Sequence, residues 1–342
     1  ECCFQRIEEV SMDNFHGGLV LAEIQTPDDL EKLYALLGHH RHSIAILGLM
    51  SCEAKLETFY SHLDDFILPS ERHRGILRLK AERLCAMKRK EFRLSMLEKE
   101  IQRHQGDLKL AKHIQDIILT EIPPSIPSLE IDVKFKTTGL VGGDLCDFQM
   151  MSNQYAGIFL ADVSGHGIGS ALIASMTKIL FKTFTSEINN PRWFLSNLNT
   201  VMVDILMPVE KFITAFYGIY HNYRLVYINA GHISPFVYSP STDSFRELLN
   251  TACILGYIKN IPMSATEIEV QPGDVMVFFT DGLIEAKSKK DEIFSIPRLQ
   301  EFVRRNHASP QLASLILEEV EAYSDEGRGI EDDMTLVVAK VK

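Results

Sequence analysis

Aspartates recur where apolar runs end in the second half of the chain. Asp144 and Asp147 lie in Gly142-Gly143-Asp144-Leu145-Cys146-Asp147, and Asp162 opens Asp162-Val163-Ser164-Gly165-His166-Gly167. Asp281 follows Val275-Met276-Val277-Phe278-Phe279-Thr280 and precedes Gly282, while Asp332 and Asp333 precede Met334-Thr335-Leu336-Val337-Val338. A carboxylate beside greasy strands is costly unless something compensates it, and two such charges about 4 Å apart repel by roughly 4 kcal/mol at an effective dielectric of 20. If these acids converge, hard divalent cations are the natural compensation, because carboxylate oxygen suits Mg²⁺ and Mn²⁺. Flanking glycines let backbone approach such ions. Any single Asp-Gly pair is equally a β-turn, and spacing alone does not establish convergence.

Two common phosphate-binding loops are absent. Gly139, Gly142 and Gly143 are followed by no Lys-Ser/Thr pair, so they do not form a nucleotide P-loop, and neither Cys146 nor Cys253 opens a Cys-x5-Arg loop. The six cysteines are scattered without a C-x-x-C pair, which fits reduced thiols better than a zinc or redox site. With a formal charge of −11, the chain as a whole should repel nucleic acid and anionic membrane. No apolar run is long enough for a membrane span, and the first residues lack a signal peptide's basic start and apolar stretch. We expect a cytoplasmic protein; position 1 is not Met, so a fragment is expected.

Three zones must position these residues. In residues 1–75, the runs 18–24 and 43–49 read as buried strands, with helices at 28–37 and 53–62; that alternation predicts a parallel α/β sheet. Residues 71–113 hold 13 Lys and Arg against 6 Asp and Glu, no Pro, and apolar residues at heptad spacing (Met87, Leu94, Ile101, Leu108). This predicts a helical, coiled-coil-like linker over 76–122 that pairs with a second copy to form a homodimer, although a lone amphipathic helix has the same pattern. Its positive charge has no interleaved aromatics for stacking bases, so no nucleic-acid partner is expected. Pro123, Pro124 and Pro127 end the helix. From 123 to 342 the pattern is strand-rich, with strands at 155–163, 212–220, 223–229, 274–280 and 335–341 and helices at 168–184, 192–206, 297–306 and 311–322. Asn222 in the short turn between two of these strands favours antiparallel pairing.

The ordered runs Gly143-Asp144-x-x-Asp147, Asp162-Val163-Ser164-Gly165-His166-Gly167, Asn229-Ala230-Gly231-His232, Thr280-Asp281-Gly282-x-x-Glu285 and Asp332-Asp333-Met334-Thr335 resemble the PPM-type metal-dependent protein phosphatases. The resemblance is to their bacterial SpoIIE-like branch, and Leu110-Ala111-x-x-Ile114-Gln115 before Pro123 is similar to that branch's entry helix. It implies an α+β layered domain over 123–342 with two antiparallel sheets flanked by helices, and two Mn²⁺ or Mg²⁺ ions per domain. It implies Asp162 as the bridging ligand, the Val163 carbonyl on one ion, Asp281 and Asp332 on the second, and Asp144 reaching the first directly or through water. Asp147, Glu285 and Asp333 would stand behind these ligands; His166 and His232 would donate a proton, contact phosphate, or be core or loop histidines. The implied reaction is attack of metal-activated water on the phosphoserine or phosphothreonine of a protein resembling an anti-sigma-factor antagonist.

The first zone resembles a two-component receiver domain: Leu19 to Pro27 is similar to the phospho-acceptor strand and loop, and Leu63 to Pro69 to the last strand. Glu23 stands where the acceptor aspartate belongs and Leu68 where a lysine belongs, which implies a degenerate receiver used for protein contact. The alternative reading of the chain is a catalytically silent adaptor that sequesters a partner, but none of the metal-binding aspartates is missing.

Overall fold

The computed structural model describes residues 19–24, 45–50, 65–67, 74–119, 123–152, 155–184, 189–324 and 330–342, with Glu31 and Ala35 between the first strands. The contacts divide the chain into two units, residues 1–106 and 107–342.

In the first unit, β1 (Leu19–Ile24), β2 (Ala45–Met50) and β3 (Asp65–Ile67) form a parallel sheet in that order, as the alternating pattern predicted. The helix predicted at 53–62 lies outside the described residues; of 28–37, only Glu31 and Ala35 are described, both helical. The helix α1 (Arg74–Leu119) has 46 residues, about 70 Å at 1.5 Å per residue. The heptad residues Met87, Leu94 and Ile101 are all exposed on it. The turns from Asp107 onward belong to the second unit.

That second unit is built from two five-stranded antiparallel sheets. One has the order β11 (Thr266–Glu269), β8 (Arg224–Ala230), β7 (Ile213–His221), β6 (Tyr155–Val163) and β5 (Asp144–Ser152). The other runs β10 (Ser244–Glu247), β9 (Phe236–Ser239), β12 (Val275–Phe279), β13 (Met334–Val341) and β4 (Leu129–Lys136). Side chains alternate along a strand, and the core follows that alternation. Ile158 and Leu160 of β6 share a cluster with Met276 and Phe278 of β12, filling the space between the sheets. Phe159, Ala161 and Val163 face the other way, onto α2 (Ile168–Thr183) and α3 (Pro191–Leu206). Val275, Val277 and Phe279 pack on α5 (Ile296–Asn306) and α6 (Leu312–Tyr323). The result is four layers, helix–sheet–sheet–helix, which is why β12 is apolar at every position: both of its faces are covered.

The hairpin between β7 and β8 turns at Asn222 and Tyr223, both at positive φ (46° and 61°), the conformation that a tight antiparallel connection requires. β9, β10 and β11, four residues each, escaped prediction, as did β4 and β5, whose polar residues break the apolar runs; Asp144 and Asp147 sit inside β5 itself.

Candidate metal centre

The site lies at one end of the space between the sheets. Asp162 is in phase with Ile158 and Leu160, so it faces the opposing sheet at the last turn of β6. Asp144 pairs directly with Asp162 across β5 and β6, and Thr214 of β7 pairs with Asp162 on the other side. Directly opposed residues share a face, so the two carboxylates meet. From the second sheet, Asp281 opens the short helix α4 (Asp281–Glu285) after β12, and Asp332 and Asp333 lead into β13.

Electrostatics show that these acids, distant along the chain, lie close together. Burial and then the charges of Asp281, Asp332 and Asp333 push the Asp162 carboxyl up to about 7. Asp281 is raised by burial and by Asp332. Asp144 is raised well above the ordinary carboxylate range by burial and by Asp162, with hydrogen bonds from Thr280 and Thr335 opposing. Glu285, exposed one helical turn after Asp281, is raised by burial and by Asp281 and Asp332, placing it at the rim. Among the described residues no cationic side chain acts on Asp144, Asp162 or Asp281.

These acids fit a hard divalent cation: all donors are oxygen, and their mutual repulsion is what a cation would relieve. Among the described residues no group of three or more His, Cys, Asp or Glu side chains is arranged to hold a metal ion as the side chains stand.

Glycine permits the close approach of these segments. A Cβ on Gly282 would run into the Asp333 carbonyl, and one on Gly142 would lie 2.5 Å from Asp333 Oδ2. These two glycines therefore bring one acid-bearing segment against another. Gly165, at φ 77°, turns the chain sharply between Asp162 and α2.

The predicted residues separate into groups. Asp144, Asp162, Asp281 and Asp332 come together, with Asp332 exposed and its Oδ1 accepting from Asp333 N at 2.8 Å. Val163 follows Asp162 and is buried, with its N–H directed to the Gly143 carbonyl at 3.4 Å. Asp333 is buried and clamps the neighbouring loop, accepting from Thr138 N and Gly143 N at 2.9 Å each. His166 is exposed in the Gly165–Gly167 turn.

One expectation needs correction, and for His232 the core-histidine alternative holds. Asp147 does not stand behind the metal ligands: three residues from Asp144, it points to the opposite face of β5, where Lys178 Nζ (3.2 Å) and Lys182 Nζ (2.8 Å) of α2 neutralise it. His232 is not placed to touch phosphate. It is 1% exposed, its Nε2–H donates to the Phe279 carbonyl at 3.2 Å, and Nδ1 accepts from the Thr214 hydroxyl at 3.0 Å. Burial lowers its pKa to about 4, so the ring is neutral and ties the two sheets together beneath the acids. The Asn229 side chain serves the same packing, accepting from His232 N at 2.9 Å.

Three partners went unnoticed in the sequence. Thr280 and Thr335 hold Asp144. Gln115 of α1 is buried against the Gly142 backbone, with Nε2 donating to its carbonyl at 2.7 Å and Oε1 accepting its N–H at 3.1 Å. Strand phase could have revealed Thr335, and a lysine pair at i and i+4 within apolar α2 could have revealed the partners of Asp147.

Comparison with known proteins agrees with this geometry. Residues 152–342 match the family described as Stage II sporulation protein E (SpoIIE), and the chain belongs to that family of PPM-type protein phosphatases. Over 242 residues it is 26% identical to the phosphoserine phosphatase RsbU of Bacillus subtilis, covering 70% of this chain and 71% of that protein. Protein IcfG of Synechocystis is 25% identical over 260 residues, 68% of this chain but only 41% of that longer protein. Among solved structures, the SiaA-PP2C domain of Pseudomonas aeruginosa superposes with a TM-score of 0.63 at 19% identity, over 71% of this chain and 99% of that one, which establishes a PP2C-like fold.

Proposed function

We propose that the chain is a metal-dependent phosphatase that removes phosphate from serine or threonine of a protein, and that this protein is an anti-sigma-factor antagonist or a relative of one. The observation that carries the reading is the meeting of Asp144, Asp162, Asp281 and Asp332, with no cationic side chain among the described residues acting on the first three. Asp162, Asp281, Asp332 and Asp144 would hold Mn²⁺ or Mg²⁺, two ions per domain, with the Val163 carbonyl as a further donor. Bound there, such ions supply an acidified water and neutralise charge on the phosphoryl oxygens. The chain itself aims its carboxylates, excludes bulk water by closing the sheets beneath them, and leaves exposed His166 available for a proton or phosphate contact. The name of RsbU, a phosphoserine phosphatase, supports the substrate class.

We read the parallel sheet of the first unit as a degenerate receiver-like regulatory domain with Glu23 at the former acceptor position of β1, and α1 as a linker that pairs with a second copy. The exposed seam of Met87, Leu94 and Ile101 supports pairing, since an isolated helix gains nothing by presenting it to water. Among the described residues no helix is long and apolar enough to cross a membrane. A silent adaptor remains the competing reading only if phosphate is not released. The test is phosphate release from a phosphoserine-bearing antagonist protein with and without Mn²⁺. Release only with metal is expected; none under either condition overturns the enzyme and favours the adaptor.

A further inference from the structure

The geometry of Asp144 is set from the opposite sheet. Thr280 and Thr335 both donate to its Oδ2, at 2.7 and 2.8 Å, and all three side chains are buried. The hydroxyls are themselves oriented. Thr335 N donates to Thr280 Oγ1 at 2.9 Å, which leaves that hydroxyl's single proton for Asp144. Thr280 N donates in turn to the Thr335 carbonyl at 3.1 Å. Among the described residues no donor meets Asp144 Oδ1. Two charge-assisted bonds on one oxygen fix the carboxylate plane and leave the other oxygen with its lone pairs unclaimed. Thr280 immediately precedes Asp281, and Thr335 closely follows Asp332 and Asp333, so the residues that aim Asp144 are joined covalently to the other acids.

We propose that Thr280 and Thr335 are positioning residues for divalent-cation binding: they hold Asp144 as a one-oxygen donor through Oδ1 and lock the acid-bearing ends of β5, β12 and β13 together. This rests on the metal-dependent reading of the site. Thr335 offers the cleaner substitution, because its hydroxyl serves only Asp144, whereas removing the Thr280 hydroxyl also leaves the buried Thr335 N–H without its acceptor.

The test is a calorimetric Mn²⁺ titration of the full chain and its variants, with melting of the metal-free proteins recorded in parallel. Thr335→Val should weaken Mn²⁺ binding by about tenfold or more, the range for groups that orient a metal ligand, and Thr335→Ser should restore it. In an Asp144→Ala background the Val substitution should have no further effect, because nothing remains to be held. Should Thr335→Val fail to melt cooperatively, Thr335→Ala is titrated in its place and judged by the same thresholds. Unchanged or tighter binding, or an equal loss in the Asp144→Ala background, overturns the proposal while wild-type binding and phosphate release leave the phosphatase reading intact. A wild-type chain that binds no Mn²⁺ overturns both.

Discussion

On β5, Asp144 faces the space between the sheets and Asp147 faces the helices, because three steps along a strand reverse the side chain. Both are buried, yet their surroundings differ in sign. Asp147 is neutralised by Lys178 and Lys182, so its charge is a closed structural matter. Asp144 meets Asp162 and two neutral threonines, with further acids beyond. The same strand thus carries a finished ion pair on one face and an unfinished one on the other. Buried charge is usually paired; among the described residues no cationic side chain pairs this cluster, and under the proposed function a cation from solution would.

The comparison breaks most visibly at Asp162. Asp162→Asn or Asp281→Asn should lower metal-dependent phosphate release by about a thousandfold, near 4 kcal/mol in barrier, with the fold intact by circular dichroism. Near wild-type turnover would remove the mechanism.

Stability gives the second test. The folded Asp162 carboxyl sits near 7, above its usual 3.8, so between about pH 4 and 7 the native state holds a proton that the unfolded state has released. Stability therefore falls as pH rises through that window, by up to about 4 kcal/mol as an upper bound, since the cluster opens to solvent. Neutral His232 has the opposite slope, losing stability as pH falls from 6.5 towards 4. Comparing Asp162→Asn with wild type cancels that contribution: in urea melts without metal, the variant should gain over wild type as pH rises, and Mn²⁺ should erase the gain. A pH-independent difference would deny that the acids repel.

On the finished face, Lys178→Met should cost about 3 kcal/mol by leaving a buried carboxylate short of a partner, while Mn²⁺ affinity stays within about twofold. An affinity loss there would mean that the two faces are not separate. The smallest effect belongs to Gln115→Ala, which removes the side-chain link between α1 and the Gly142 backbone. We expect a loss of about 1 kcal/mol in stability, read from the denaturant midpoint.

The second sheet-rich domain was legible in the sequence because its longer apolar strands stand out; Tyr155–Val163 was placed to the residue. β4 and β5 were not, because charged residues interrupt their apolar patterns, Asp144 and Asp147 among them in β5, and the four-residue strands β9, β10 and β11 were too short to stand out. The aspartates at strand ends could be seen, but their meeting could not, since it depends on which strands become neighbours. The same alternation that hid the separation of Asp144 from Asp147 would have revealed it once β5 was recognised as a strand. For His232 the sequence left a chemical role and a core position open, and only the packing of Thr214 and Phe279 shows both nitrogens engaged.

Equilibrium titration of the metal-free chain with Mn²⁺ tests the central claim most directly, with Asp162→Asn measured beside wild type. Saturable binding in wild type and its loss in Asp162→Asn is the predicted result; equal binding by the two proteins would contradict the account.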